Sequence, residues 1–306
     1  MNIKGTAKKT WRLLKSTFQE FNDDNAIKLS ASLSYYTIFS IAPLSLIILS
    51  VCGFFFGKEA VAGEFYGQIN NLVGSKAATQ IQETMKNMEL ENNNTFAMIF
   101  GIVVLLIGAS GVFAEIQSST NYIWGLRAKP NRGFKKFVKN RLMSFSMIGV
   151  IGFLLLVSLT ANTVMDLLNE QLKALFADAT VYLFYVLNFV VVFIIITMLF
   201  SIIFRTLPDG KLAWKDTLVG SATTAVLFMI GKFAISIYLG SSTVATAYGA
   251  AGSIIIILVW VYYSAIILYF GAEFTKVYAY SYGDKIIPNS YAVEIDKKII
   301  EMEKIR

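Results

Sequence analysis

From Ala250 to Ala272 no side chain carries a charge. As a helix, a run of that length crosses the roughly 30 Å hydrocarbon core of a bilayer. Five more segments resemble it, giving six in all, at about 30–56, 95–120, 143–166, 181–204, 214–239 and 250–277. Inside lipid every backbone donor and acceptor must be satisfied within its own segment, which commits such runs to helix. The expected fold class is therefore all-α: a polytopic membrane protein built as a bundle of six transmembrane helices, with short interfacial and external amphipathic helices. Only 15% of the residues are charged, against about 25% in soluble domains. That leaves too little polar surface to wrap six apolar helices in water.

Orientation follows from the cations, because Lys and Arg are retained on the cytoplasmic side. The N-terminal segment holds Lys4, Lys8, Lys9, Arg12, Lys15 and Lys28, and the second connection holds Arg127, Lys129, Arg132, Lys135, Lys136, Lys139 and Arg141. The fourth connection adds Arg205, Lys211 and Lys215, and the C-terminal segment adds Lys285, Lys297, Lys298, Lys304 and Arg306. The alternate connections carry only Lys58, Lys76, Lys86 and Lys173. Both termini are expected in the cytoplasm, giving a cytoplasmic segment 1–29, a membrane domain 30–280 and a cytoplasmic tail 281–306. The polar start "MNIKGTAKKTWRLLKSTFQEFNDD" has no short apolar core before a cleavage site, so the first span is expected to target the chain. The net charge of +7 reads as this topology signal, so no nucleic-acid partner is expected. The expected partners are membrane lipids, with anionic lipid at the basic cytoplasmic segments; a homo-oligomer is compatible with the pattern.

The chain has no histidine and one cysteine, Cys52. The commonest general base and the commonest transition-metal ligand are thus absent, and so is any thiolate cluster. Neither a phosphate-binding GxxxxGK[ST] loop nor a GxSxG elbow occurs. The sequence is not expected to encode an enzyme, and no cofactor or metal is expected.

Three segments outside the spans have amphipathic helical patterns. Trp11, Leu14, Phe18 and Phe21 recur at helical spacing beside cations, as in a helix lying on an anionic leaflet. Residues 57–94 place Ile69, Leu72, Val73, Ile81, Met85 and Met88 on apolar faces, predicting short helices at the outer mouth. The basic connection "GLRAKPNRGFKKFVKNRL" interleaves Phe134, Phe137 and Val138 with its cations, as a topology determinant set in the headgroups.

Polar residues within spans face a bundle interior or a wet cavity, because lipid cannot solvate them. In the first span Pro43 removes a backbone donor and collides with the carbonyl of Phe39, predicting a kink. In the second, Gly101, Gly108, Glu115 and Tyr122 repeat every seven residues with Gly111 nearby, a face suited to close packing. The sixth turns Tyr262, Ile266, Tyr269, Glu273 and Lys276 to one side and carries Gly252 and Gly271. Glu115 and Glu273 each follow an alanine near the cytoplasmic end of a span running outside to inside. The expectation is that both point into one inward-facing polar cavity, joined by Tyr262, Tyr269 and Lys232 of the fifth span. The competing expectation is structural: each glutamate pairs with a cation, Lys276 for Glu273 and Arg127 or Arg205 for either, while Lys232 snorkels to an interface.

Three stretches, "LSYYTIFSIAPL", "FRTLPDGKLAW" and "YGAAGSIIIILVWVYYSAIILYFGAEF", resemble in order the signature regions of the YihY/BrkB family of bacterial inner-membrane proteins, over roughly residues 20–280. The resemblance implies six spans in the inner membrane. It also brings the family's labels: ribonuclease BN, virulence factor and transporter. A nuclease needs His, Lys or carboxylates converging on water, whereas Asp23, Asp24 and Asp209 read as scattered aqueous aspartates, so ribonuclease activity is not expected. Two functions remain in view: a transporter or lipid- and amphiphile-handling protein, or a non-transporting membrane scaffold or envelope-integrity factor.

Overall fold

The computed structural model describes residues 3–56, 62–63, 65–67, 69–70, 75–88, 95–129, 179–241 and 252–295. Helix α1 covers Ile3–Asp23 and α2 covers Ala26–Phe56. The chain turns between them at Asn25, whose φ of 52° is the left-handed conformation that asparagine tolerates better than most residues. Helix α2 starts four residues before the expected span because Ala26–Leu29 extend its first turn into the polar segment. It runs through Pro43 as one element.

Helix α3, Ser75–Met88, is an amphipathic helix within the 57–94 connection, where short helices were expected. Its Ala77, Ile81 and Met85 are buried in a cluster with Ala42 of α2, with Ile256 and Ile257 of the last helix, and with Ile69 against its edge. Leu72, Val73 and the Met88 side chain lie outside the described residues. Next come α4, Thr95–Ile123, and α5, Ala179–Thr206. The last two are α6, Trp214–Ser241, and α7, Gly252–Tyr282. The segment expected at 143–166, the basic connection from Pro130 to Arg141, Lys173 and the tail beyond Ile295 also lie outside the described residues.

Among the described residues, four helical stretches are long and apolar enough to cross a membrane: Ala26–Ser50, Val186–Thr206, Trp214–Ile235 and Ile254–Tyr282, with mean hydropathies of 1.6, 2.9, 1.7 and 2.3. Large apolar side chains on α5 and α6, among them Phe189, Met198, Ile230 and Phe233, are exposed among the described residues. Such a surface is at home in hydrocarbon and not in water. The protein is thus a predominantly helical membrane protein.

Helix α7 is the hub, touching α1, α2, α3, α4 and α6. Its Tyr269, Ala272, Glu273 and Thr275 are fully buried. Among the described residues four short strands, absent from the sequence expectation, close one end. Strand β1, Leu126–Ala128, pairs antiparallel with β4, Ala292–Glu294, and β2, Gly210–Lys211, pairs with β3, Ile287–Pro288. The segment after α7 therefore doubles back to staple the loops that follow α4 and α5. Gly125, at φ 66°, makes the turn that admits β1 and sends its carbonyl to Ile295 N at 2.7 Å.

Candidate functional site

Glu273 closes the buried stretch of α7 with no solvent exposure. Three residues on, Lys276 Nζ reaches Glu273 Oε2 at 3.3 Å. The same ammonium donates to Glu20 Oε2 at 2.8 Å and Asp24 Oδ2 at 3.5 Å. A lysine has three N–H donors, and here each has a carboxylate. Glu20 and Asp24 are one turn apart where α1 ends, so both face α7 once α1 docks. Docking is set by Phe21, buried with its ring centroid 5.8 Å from that of Phe270. This corrects the expectation that Phe21 lies on the leaflet with Trp11 and Phe18: those two are exposed, while Phe21 turns inward.

The cluster matches the pairing of Glu273 with Lys276 expected from their spacing, and adds two carboxylates that the spacing could not show. Removing one partner of a buried ion pair costs about 3–5 kcal/mol, because it strands the other charge. The Glu20 arm, with its side chain 47% exposed, is worth about 1 kcal/mol or less. Carboxylate oxygens of Glu20, Asp24 and Glu273 lie within 4.8 Å of one another, a spacing that suits a metal ion; the Lys276 ammonium supplies the positive charge among them. Glu273 Oε1 is buried and accepts no hydrogen bond among the described residues.

Above the cluster opens a groove of about 930 Å³ between the end of α1, the α4–β1 turn, the last turns of α7 and β4. Lys276, Glu20 and Asp24 reach it from the buried side, and Tyr122, Trp124 and Tyr280 form its aromatic walls. Trp124 is held by its indole N–H, which donates to the Ala272 carbonyl at 3.1 Å, one residue before Glu273.

Tyr269, one turn before Glu273, is fully buried, and its hydroxyl lies beside Ser119 and within electrostatic reach of Glu115 on α4. Ser119 Oγ donates to Glu115 Oε1 at 3.2 Å. The two glutamates thus belong to one polar strip, with Tyr269 between them. They do not share a cavity wall: Glu273 is sealed beneath Lys276, and Glu115 is half-buried outside the groove lining. Arg205 pairs with neither, donating instead to the Leu212 carbonyl at 2.8 Å and stacking on Trp214 at 4.0 Å. Tyr262 is half-buried two turns before Tyr269, toward the start of α7. Lys232 does not join the strip. It is exposed on α6 between exposed Phe233 and the glycine that packs on α7, one residue past the phase that would turn it inward.

The family model described as "Virulence factor BrkB" matches residues 17–293. The chain belongs to the BrkB family. The match begins just before Glu20 and runs past Lys276 into β4, so it takes in the whole charged cluster. The chain is 24% identical to a UPF0761 membrane protein of Saccharophagus degradans, covering 88% of this chain and 60% of that one. It is 26% identical to one of Rhodospirillum centenum over 86% and 56% of the two chains, and 24% identical to one of Aggregatibacter aphrophilus over 90% and 96%. The chain thus spans somewhat over half the length of the first two relatives. No solved structure matches it with significance.

Each stretch that resembled the BrkB family has a structural task. In the first, Pro43 packs against Gly108, where an added Cβ would lie 3.1 Å from the proline ring, and Ser40 Oγ donates to the Gly108 carbonyl at 2.7 Å beside Gly111. Pro43, Gly108 and Gly111 thus lie in one close contact between α2 and α4. In the second, Asp209 is fully buried and takes Gln117 Nε2 at 3.1 Å and Asn121 Nδ2 at 3.0 Å, while its own N–H donates to Asn121 Oδ1 at 2.7 Å. This corrects the reading of Asp24 and Asp209 as aqueous: both are buried, one against Lys276 and one against α4. Gln117 and Asn121, four residues apart on one face, were the available signal. In the third, Gly271 receives Thr224 of α6 while Gly220 of α6 receives Thr275, and either glycine given a Cβ would collide with that threonine. Gly252 is buried at the start of the same helix.

Proposed function

We propose that this BrkB-family chain is a six-span transporter or lipid- and amphiphile-handling protein of the bacterial inner membrane, with both termini cytoplasmic and a working site at the cytoplasmic end of α7. One observation carries the reading: a fully buried carboxylate in a spanning helix, held by an ammonium that itself lines a 930 Å³ groove. Ionisable groups at membrane depth are costly and concentrate on substrate and ion pathways. An apolar cavity of about 320 Å³ near the other end, lined by Leu46, Phe65, Ile81 and Met85 with Lys86 among its walls, supports the amphiphile branch. The chain carries no enzymatic step and binds no nucleic acid; anionic lipid meets its basic cytoplasmic segments. The alternative, a non-transporting scaffold, is favoured by the tight α6–α7 seam, which packs helices without leaving a path.

The test is reconstitution into vesicles carrying a fluorescent phospholipid in one leaflet and a panel of labelled solutes outside. Wild-type protein should move at least one of them, and Glu273→Gln, which keeps shape and removes charge, should not. Folded protein that moves none points to the scaffold. Topology is checked separately: reporters after Arg132, after Pro208 and at Arg306 should read cytoplasmic, and one near Asn93 external.

A further inference from the structure

The chain as a whole is basic, with a net charge of +7, yet the groove above Lys276 is acidic. Among the described residues, four carboxylates line it, those of Glu20, Asp23, Asp24 and Glu294, against one ammonium, that of Lys276. Beneath lies Glu273, whose Oε1 accepts no hydrogen bond among the described residues and whose carboxylate faces that of Asp24. The walls add the rings of Tyr122, Trp124 and Tyr280. Tyr280 donates its hydroxyl to Glu294 at 2.9 Å, fixing a ring edge and a carboxylate side by side on the rim.

Carboxylates and aromatic faces together are the chemistry that recognises an organic ammonium, by charge pairing and cation–π attraction. The site already holds one such group, since Lys276 brings a primary ammonium from its own helix into the carboxylates. We propose that the groove is a binding site for a primary amine whose ammonium takes its place beside that of Lys276, between the acidic floor and the Tyr122–Trp124–Tyr280 walls. The proposal deepens the transporter reading by naming its substrate class, and it rests on that reading only for what happens to the amine after it binds. The same ammonium chemistry occurs on a soluble polyamine and on an ethanolamine phospholipid headgroup.

The experiment uses the full chain in detergent micelles, with tryptophan fluorescence and thermal unfolding as readouts. The probes are spermidine and dihexanoyl phosphatidylethanolamine; magnesium chloride and dihexanoyl phosphatidylglycerol are the controls. At least one amine probe should saturate the fluorescence change and raise the unfolding temperature, and which one does so identifies the source. The Glu20→Gln/Glu294→Gln double variant should weaken that binding about tenfold or more, the scale of two lost charge-assisted contacts. Asp23→Asn, a change at an exposed side chain, should weaken it less, and it keeps the test open if the double variant does not fold. The proposal is overturned if neither amine binds, if the variants bind as wild type does, or if magnesium saturates the site and excludes the amine, which would make it an inorganic cation site. Amine binding without transport in the vesicle assay would sink the transporter reading alone.

Discussion

Among the described residues, Asp209 and Glu273 are the carboxylates with no solvent exposure at all, and they are held in opposite ways. Asp209 is gripped by neutral donors, two side-chain amides of α4. Glu273 meets a charge, Lys276, shared with Glu20 and Asp24, and among the described residues one of its oxygens has no donor. A carboxylate closed in by amides has settled partners in the folded state and suits a joint. One bound to an ammonium that is shared with two other carboxylates and lines an open groove can exchange its partner, and that exchange is what a binding site needs.

Breaking the joint should cost most. Asp209→Ala strands the buried amides of Gln117 and Asn121 and should lower stability by about 3 kcal/mol or more, seen as aggregation or a much earlier melt on detergent size-exclusion. If Asp209→Ala melts like wild type, the joint is not structural and the contrast collapses. Next, Lys276→Met leaves three carboxylates with no cation and should destabilise by roughly 3 kcal/mol at neutral pH. Acidification should recover part of the loss, since protonating any of the three relieves their repulsion; recovery that is absent at pH 5 would deny the clustering. Gly271→Val drives a branched side chain into Thr224 and should cost about 1–3 kcal/mol by overpacking, with Thr224→Ala restoring part of it. Glu273→Gln should change the melt by less than Lys276→Met does, because Lys276 keeps Glu20 and Asp24, while abolishing whatever the vesicle assay detects. Smallest of all, Lys232→Leu should leave both melt and function near wild type, its side chain being exposed among the described residues.

The helices were legible because an apolar run is a local signal: the segments at 181–204 and 214–239 fall within α5 and α6 almost end to end. The close-packing glycines were legible for the same reason, since their spacing on one helix face is written in consecutive turns. Lys276 as the partner of Glu273 could be read from a spacing of three. What could not be read is whatever two distant segments decide together. Glu20 meets Lys276 across 256 positions, and nothing in "FQEFNDD" names its partner. Lys232 shows the limit within a single helix: its depth is plain from the sequence, but which way it faces depends on where α6 touches α7, and a step of one residue turns it by about 100°.

The stapling of the α4 and α5 loops by the returning segment also sets an order of events during synthesis. Leu126 pairs with Glu294 and Gly210 with Pro288, so neither ladder can begin until the ribosome has delivered the chain past α7. Until then the loops after α4 and α5 wait with unpaired strand edges, and α1 waits without Lys276. Insertion of the last helix therefore acts as a checkpoint: one late event supplies the cation for α1, the seam for α6 and the clasp for both loops. A chain stalled before that point should be a good substrate for membrane proteases.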